Sequence, residues 1–261
     1  FFKGMKTQNI ATCMKHFPGD GTEENDQHLI MGINEYDCDK WDRTYGKVYK
    51  ELIDEGVMTI MAGHIALPAY SRKLPPGIKD EEIRPATLAP ELITDLLKGK
   101  LGFNGLVVTD ASHMIGMFGA TIPRSRQVPQ AIAAGCDMFL FFNEREEDFA
   151  YMMEGYQSGI ITEERLQDAL HRILGVKAAL NLHKLQKEGK LTAPKENLAV
   201  VGCAEHHKAS RDFADKYVTL VKDRLHYLPM TPKRYKRIKL MYIGSEATVI
   251  AGMKFESNDK N

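Results

Sequence analysis

Four short uninterrupted apolar runs, separated by segments with helical periodicity, constrain this chain more than any other feature. The runs are Ile10-Ala11-Thr12-Cys13-Met14, Val57-Met58-Thr59-Ile60-Met61, Leu106-Val107-Val108-Thr109 and Met138-Phe139-Leu140-Phe141-Phe142. A strand covered on both faces shows continuous rather than alternating hydrophobicity, which is the habit of parallel sheets. The intervening segments repeat apolar residues on a helical period. Trp41 to Glu55 aligns Tyr45, Val48, Leu52 and Ile53, and Ala89 to Lys100, opening after Thr87, aligns Leu92, Ile93, Leu96 and Leu97. A helix at Pro129 to Ala134 precedes the fourth run, and another spans Thr162 to Leu180 with acidic residues in its first turn. This alternation predicts an α/β fold with a parallel sheet, doubly wound or closed into a (β/α)8 barrel.

Beyond these units the composition changes. Lys184 to Asn197 is rich in Lys and Glu, contains Gly189 and Pro194 and has no apolar face, so it reads as a linker. A helix around His207 to Lys222 and a strand around Ile238 to Ile243 then begin a second α/β domain. The predicted division is 1–183, a linker over 184–203, and 204–261.

The 261 residues are 43% apolar, enough for a real core, and 35 basic residues balance 35 acidic ones. A chain without net charge has no global field to draw in nucleic acid or an anionic membrane, so the expected partner is a small neutral molecule. Oligomeric state is left open. The four cysteines lack metal-binding spacing, and Cys13 and Cys136, inside apolar runs, read as buried free thiols in a reducing setting. No apolar stretch reaches the length of a membrane span and no signal peptide is evident, although the chain opens on Phe1-Phe2 without Met. A cytoplasmic, bacterial setting is expected.

In a parallel α/β sheet the loops after the strands build the site. The first run leads into Lys15-His16-Phe17-Pro18-Gly19-Asp20-Gly21, the second into His64, the third into Asp110 and the fourth into Asn143-Glu144. Asp110 is open between a nucleophilic carboxylate at the mouth of the sheet and a cap for the segment after it. In Asp26-Gln27-His28 a carboxylate two residues from an imidazole can orient it and favour its charged form, the pattern of an acid/base near neutral pH; its alternative is a polar surface loop. Lys15 and His16 can hold hydroxyls or an anion, or pair with neighbours. Met114, Met117 and Met138 suit core or pocket walls. His113 and His171 read as structural.

These residues closely resemble the β-N-acetylglucosaminidase branch of glycoside hydrolase family 3. Lys15 to Gly21 followed by Asp26-x-His28 resembles its K-H-F-P-G-H-G with a downstream D-S-H. Further matches occur in order: Met61-Ala62-Gly63-His64 with Pro68-Ala69, Pro85-Ala86-Thr87-Leu88, Leu101-Gly102-Phe103-Asn104-Gly105-Leu106-Val107-Val108-Thr109-Asp110, and Ala134-Gly135-Cys136-Asp137-Met138. Several ordered motifs at compatible spacing are far more specific than one. The resemblance covers residues 1–182 and, more loosely, 204–244, where Val218 to Lys222 looks like the helix opening the family's second domain. Two positions depart from it: Asp20 stands where many members have His, and Ala111 where many have a second acidic residue.

The resemblance implies the C-terminal half of a (β/α)8 TIM barrel followed by the start of an α/β sandwich domain. It also implies a retaining β-N-acetylglucosaminidase, acting through a covalent glycosyl-enzyme, without cofactor or metal. Asp110 would be the nucleophile, His28 the acid/base and Asp26 its partner carboxylate. Lys15 and His16 would bind sugar, with His64 and Met114 as further substrate-binding residues. A retaining site of the usual kind separates its two groups by roughly 5 to 5.5 Å. A β-glucosidase or phosphorylase of the same family, a metal-dependent hydrolase using His16, His28, His64 and Asp110, and an inactive carbohydrate-binding remnant are the alternatives. A full barrel takes eight strands, so the 261 residues alone are expected neither to fold stably nor to turn over sugar.

Overall fold

A computed structural model describes residues 1–118, 122–237 and 239. The chain divides into two compact units, 1–193 and 194–261. In the first, three strands form one parallel sheet in the order β1-β3-β5: β1 is Cys13–Phe17, β3 Thr59–Ala62 and β5 Leu106–Thr109. Thr59 pairs with Leu106 and Ala62 with Thr109, so these two strands end level and set Gly63-His64 and Asp110 side by side. A smaller parallel pair, β2 (Gly32–Ile33) with β4 (Ile65–Ala66), lies beyond that level. This pair was not foreseen, although Leu29-Ile30-Met31-Gly32-Ile33 runs into β2 and Ile65-Ala66-Leu67 covers β4.

The sheet forms where β-branched residues are dense and covered. Ile60 and Val107 are fully buried, and Leu92, Ile93, Leu96 and Leu97 of the π-helical segment Glu91–Lys100 pack onto the same core. An aromatic group at the end of β1 completes it: Phe17 meets Tyr49 edge-on at 5.1 Å, and Trp41 donates from Nε1 to the Pro18 carbonyl at 2.8 Å. The expected helix over Trp41 to Glu55 belongs to a helical stretch running from Cys38 to Asp54, with a π-helical turn at Asp42–Gly46. Helix Glu163–Ala179 matches the expected one, and Thr162 caps it by accepting from Arg165 N; the helix expected from Pro129 begins earlier, spanning Arg124–Ala133 with Pro129 inside it.

Several expectations change. The first strand lies three residues later than its apolar run, and Cys13 at its start is exposed. Cys136 is buried as expected, and burial pushes its thiol up to about 12. The fourth run forms no strand: Met138 makes one parallel bridge to Val108, Phe141 takes a left-handed φ of 46° that breaks extension, and Phe141 and Phe142 stand exposed. A 13-residue helix, Arg145–Gln157, was not foreseen. The stretch read as a linker is partly helical, at Leu182–Lys187.

In the second unit a helix spans Ala204–Tyr217, ending before the expected Lys222. Val218 to Lys222 is therefore irregular rather than the opening of a helix. The strand expected around Ile238 to Ile243 lies outside the described residues, apart from Lys239. Among the described residues no helix is long and apolar enough to cross a membrane.

Candidate active site

β5 delivers Asp110 to the end of the sheet, where its backbone N–H donates to the Ala62 carbonyl at 2.9 Å and so ties it to the neighbouring strand. Asp110 is 8% exposed. Its Oδ1 accepts from Ala111 N at 2.7 Å, and the next helix begins only at Ile115, so its carboxylate does not cap a helix. Its Oδ2 faces His16 Nε2 at 3.5 Å. The other ring nitrogen of His16, Nδ1, lies 3.4 Å from Asp20 Oδ2, which places this imidazole between two carboxylates.

Asp26 and His28 pair directly. Asp26 Oδ1 accepts from His28 N at 2.9 Å and lies 2.6 Å from His28 Nδ1. These backbone and side-chain hydrogen bonds hold the Asp26 carboxyl below its ordinary value. With Nδ1–H directed at Asp26, Nε2 is left to face outward. Both side chains are more than half exposed, but their loop is docked: Gly116 N donates to the Gln27 carbonyl at 3.1 Å and Ile115 N to the His28 carbonyl at 3.3 Å. A Cβ on Gly116 would come within 2.6 Å of the Gln27 oxygen, so only glycine permits this approach.

Two residues expected to touch substrate are placed differently. His64 is fully buried, with Nδ1 3.0 Å from Thr87 Oγ1 and Nε2 2.9 Å from the Ala111 carbonyl. Both nitrogens are thus engaged by protein, and His64 supports the peptide next to Asp110 from beneath. Burial pushes its pKa down, against the opposing pull of the Ala111 carbonyl and the Asp110 charge, so the ring is neutral, donating from Nε2 and accepting from Thr87. Met114 is 4% exposed and offers a ligand almost no surface. Lys15 is exposed and bounds a cavity of about 460 Å³ with Met14, Gly19, Asp20 and Tyr45. No hydrogen bond or ion pair joins Lys15 to His16, His28 or Asp110 among the described residues. Asn143 N donates to Asp148, and Glu144 precedes the first turn of the Arg145–Gln157 helix.

Sequence reasoning missed the residues that hold this arrangement. Gln27, read as the spacer of a triplet, is buried and bonds both Asp20 and His64. Arg124 donates to the Ser112 carbonyl at 3.1 Å and to Ser112 Oγ at 3.0 Å, fixing the turn after Asp110, and its Nε donates to Asp148 at 2.8 Å. Thr87 lies inside the Pro85-Ala86-Thr87-Leu88 motif, but its role depends on contact with His64, 23 residues away. No three His, Cys, Asp or Glu side chains gather into a possible metal site among the described residues.

Residues 1–176 match the family described as "Glycosyl hydrolase family 3 N terminal domain". The chain is 45% identical over 238 residues to a Cellulomonas fimi protein named "Beta-N-acetylglucosaminidase/beta-glucosidase", covering 91% of this chain and 41% of that protein. It is similar to the solved structure of "Beta-glucoside phosphorylase BglX bound to 2FGlc" with a TM-score of 0.80 at 39% identity, covering 88% of this chain and 41% of the other. A glycoside hydrolase family 3 β-N-acetylglucosaminidase from Paenibacillus sp. str. FPU-7 is similar with a TM-score of 0.61 at 29% identity, covering 69% and 33%. The chain thus spans about two fifths of the first two proteins' length.

Proposed function

Given that the chain belongs to glycosyl hydrolase family 3, we propose that it carries the catalytic pair of a retaining β-N-acetylglucosaminidase. Asp110 is the nucleophile, His28 the acid/base and Asp26 the group that orients His28. The observation that carries this reading is the 2.6 Å Asp26–His28 contact on a loop bonded to the segment after Asp110. A carboxylate aimed at one imidazole nitrogen fixes the tautomer, stabilises the charged form and leaves the other nitrogen for proton transfer.

In the first step an Asp110 oxygen attacks the anomeric carbon. The glycosidic C–O bond breaks, and the departing oxygen takes the proton from His28 Nε2. The ester to Asp110 is the covalent intermediate. In the second step neutral His28 removes a proton from water, whose oxygen attacks the same carbon and releases Asp110, so two inversions give net retention. His16, beside Asp110, is placed to bond a sugar hydroxyl, and Lys15 is the further candidate for sugar binding. The sheet is read as part of a (β/α)8 barrel. The C-terminal unit is read as the start of an α/β sandwich domain.

A fluorinated N-acetylglucosaminide that traps the intermediate, followed by peptide mass spectrometry of the protein, tests the assignment. The label is expected on the peptide containing Asp110, and a label elsewhere would overturn it. Phosphate as second-step acceptor is a second reading, supported by the 39% identity to a β-glucoside phosphorylase and by chemistry. Neutral imidazole, unlike a carboxylate base, does not repel an anionic acceptor. Adding inorganic phosphate separates the two readings: glycosyl phosphate accumulates in one case and free sugar in the other.

A further inference from the structure

The Asp26-Gln27-His28 triplet alternates outward, inward, outward. The side chains of His28 and Asp26 are 69% and 58% exposed, whereas Gln27 is 5% exposed. An exposed dyad has little wall of its own to aim it, and the buried middle residue supplies the anchor. Gln27 Oε1 accepts from His64 N at 3.0 Å, and Gln27 Nε2 donates to Asp20 Oδ2 at 3.2 Å. That same oxygen of Asp20 faces His16, which in turn faces Asp110. A line of polar contacts therefore runs from Asp110 through His16 and Asp20 to the residue between Asp26 and His28.

Besides Ala111, both ends of the Asp20–Gln27 bond differ from the K-H-F-P-G-H-G and D-S-H motifs that these residues resemble. His is replaced by Asp20 and Ser by Gln27, and the two replacements bond each other. We propose that the Asp20–Gln27 hydrogen bond is a clasp that sets the acid/base loop against the nucleophile's side of the site, making both side chains positioning residues. The inference rests on the assignment of Asp110 and His28 above. A misplaced acid costs most where the leaving group needs a proton, and least where it departs unaided.

The test compares methyl and 2,4-dinitrophenyl β-N-acetylglucosaminides on each protein preparation, so that any inactive fraction cancels in the ratio. Gln27→Glu keeps the acceptor for His64 N but sets a carboxylate against Asp20. It is expected to lower kcat/KM for the methyl glycoside roughly tenfold or more, against less than about threefold for the dinitrophenyl glycoside. In an Asp20→Asn background the Asn amide can donate to the introduced carboxylate, so there Gln27→Glu is expected to cost less than about threefold on either substrate. Equal costs in the two backgrounds, or equal slowing of the two substrates, would overturn the clasp. His28→Ala is the control. If it shows no preference for the good leaving group, the acid/base assignment fails and the clasp with it; if it shows one and Gln27→Glu does not, only the clasp fails.

Discussion

The two ends of β5 both carry charge, and they treat it in opposite ways. At its start, Asp137 is completely buried and almost wholly committed: Oδ2 accepts from Val107 N at 2.8 Å, Oδ1 from Lys98 Nζ at 3.1 Å and also from Arg165. Asp168 pairs with Lys98, Arg165 and Arg172, and Arg172 donates to the Gly105 carbonyl at 2.9 Å. At the other end, Asp110 is nearly as buried, yet it has one short backbone bond and an imidazole at 3.5 Å. Charges that only hold a fold together are neutralised by partners, whereas a carboxylate that must attack a substrate keeps lone pairs uncommitted. Cavity size does not make this distinction. A cavity of about 550 Å³ lies at the charge-paired end, lined by Val57, Met58, Gly105 and Arg172.

The contrast between the two ends breaks most sharply by substitution at Asp110. Asp110→Asn is expected to lower turnover by at least about 10⁴-fold, the scale on which removing a covalent nucleophile acts. The thermal midpoint should change little, because Asn retains an acceptor for Ala111 N. Steady-state rates with activated glycosides, alongside thermal melts, check both halves. An Asp110→Asn protein that melts far below the native one and retains turnover would reverse the roles of the two ends.

Asp137→Asn is the converse. It leaves Lys98 and Arg165 without their shared buried carboxylate, and loss of one partner from a buried ion pair costs about 3–5 kcal/mol. Urea unfolding should show that loss, while turnover of the folded fraction stays within about threefold of native. Gly116→Ala comes next. Its methyl would press on the Gln27 carbonyl and on His64 Cβ, at 2.6 and 2.9 Å. Overpacking of this kind costs about 1–3 kcal/mol, and the strain falls on the loop bearing His28. The fall in kcat/KM for the methyl glycoside should therefore exceed that for the dinitrophenyl one; equal falls would show that Gly116 serves stability alone.

The strand joining the two ends was legible in sequence, whereas the ion pairs around Asp137 at its start were not. Leu106-Val107-Val108-Thr109 became a strand with the expected bounds, since β-branched density and coverage by helices act together there. Thr162 with two acidic residues after it marked a helix start because capping is a local interaction. The fourth run misled because apolar content says nothing of a left-handed φ at Phe141. The Arg145–Gln157 helix was missed because its apolar residues do not gather on one face; its buried positions include Gly155, pressed against Pro129. At the site, Asp110, Asp26 and His28 were legible through motif order. Gln27, Thr87 and Arg124 were not, because their roles are contacts with residues 7 to 37 positions away, and periodicity carries no information about such pairs. His64 was legible as a residue but not as a buried one: a strand-end position fixes which loop a side chain starts from, not which way it turns.

The smallest expected effect separates the two ends by pH. Desolvation holds the folded-state pKa of His64 below the ordinary 6.5. Between 6.5 and that lower value the unfolded chain binds a proton that the folded chain refuses. The stability contributed by the neutral ring is therefore fully present above 6.5 and is lost as pH falls toward the folded value. Protonation would put a second donor hydrogen at Nδ1, 3.0 Å from Thr87 Oγ1, and the Thr87 hydroxyl, already within 2.9 Å of the Gly63 carbonyl, would then donate there and accept from His64. The remaining ionisable groups are common to the native protein and a His64→Gln variant, so the difference between the two curves reports on His64. Urea midpoints from about pH 8 to about pH 5 should fall more steeply for the native protein, with the two curves parallel above about pH 7. Parallel curves throughout would mean that folding leaves the proton affinity of His64 unchanged, and would overturn burial as what keeps the ring beneath the Ala111 peptide neutral.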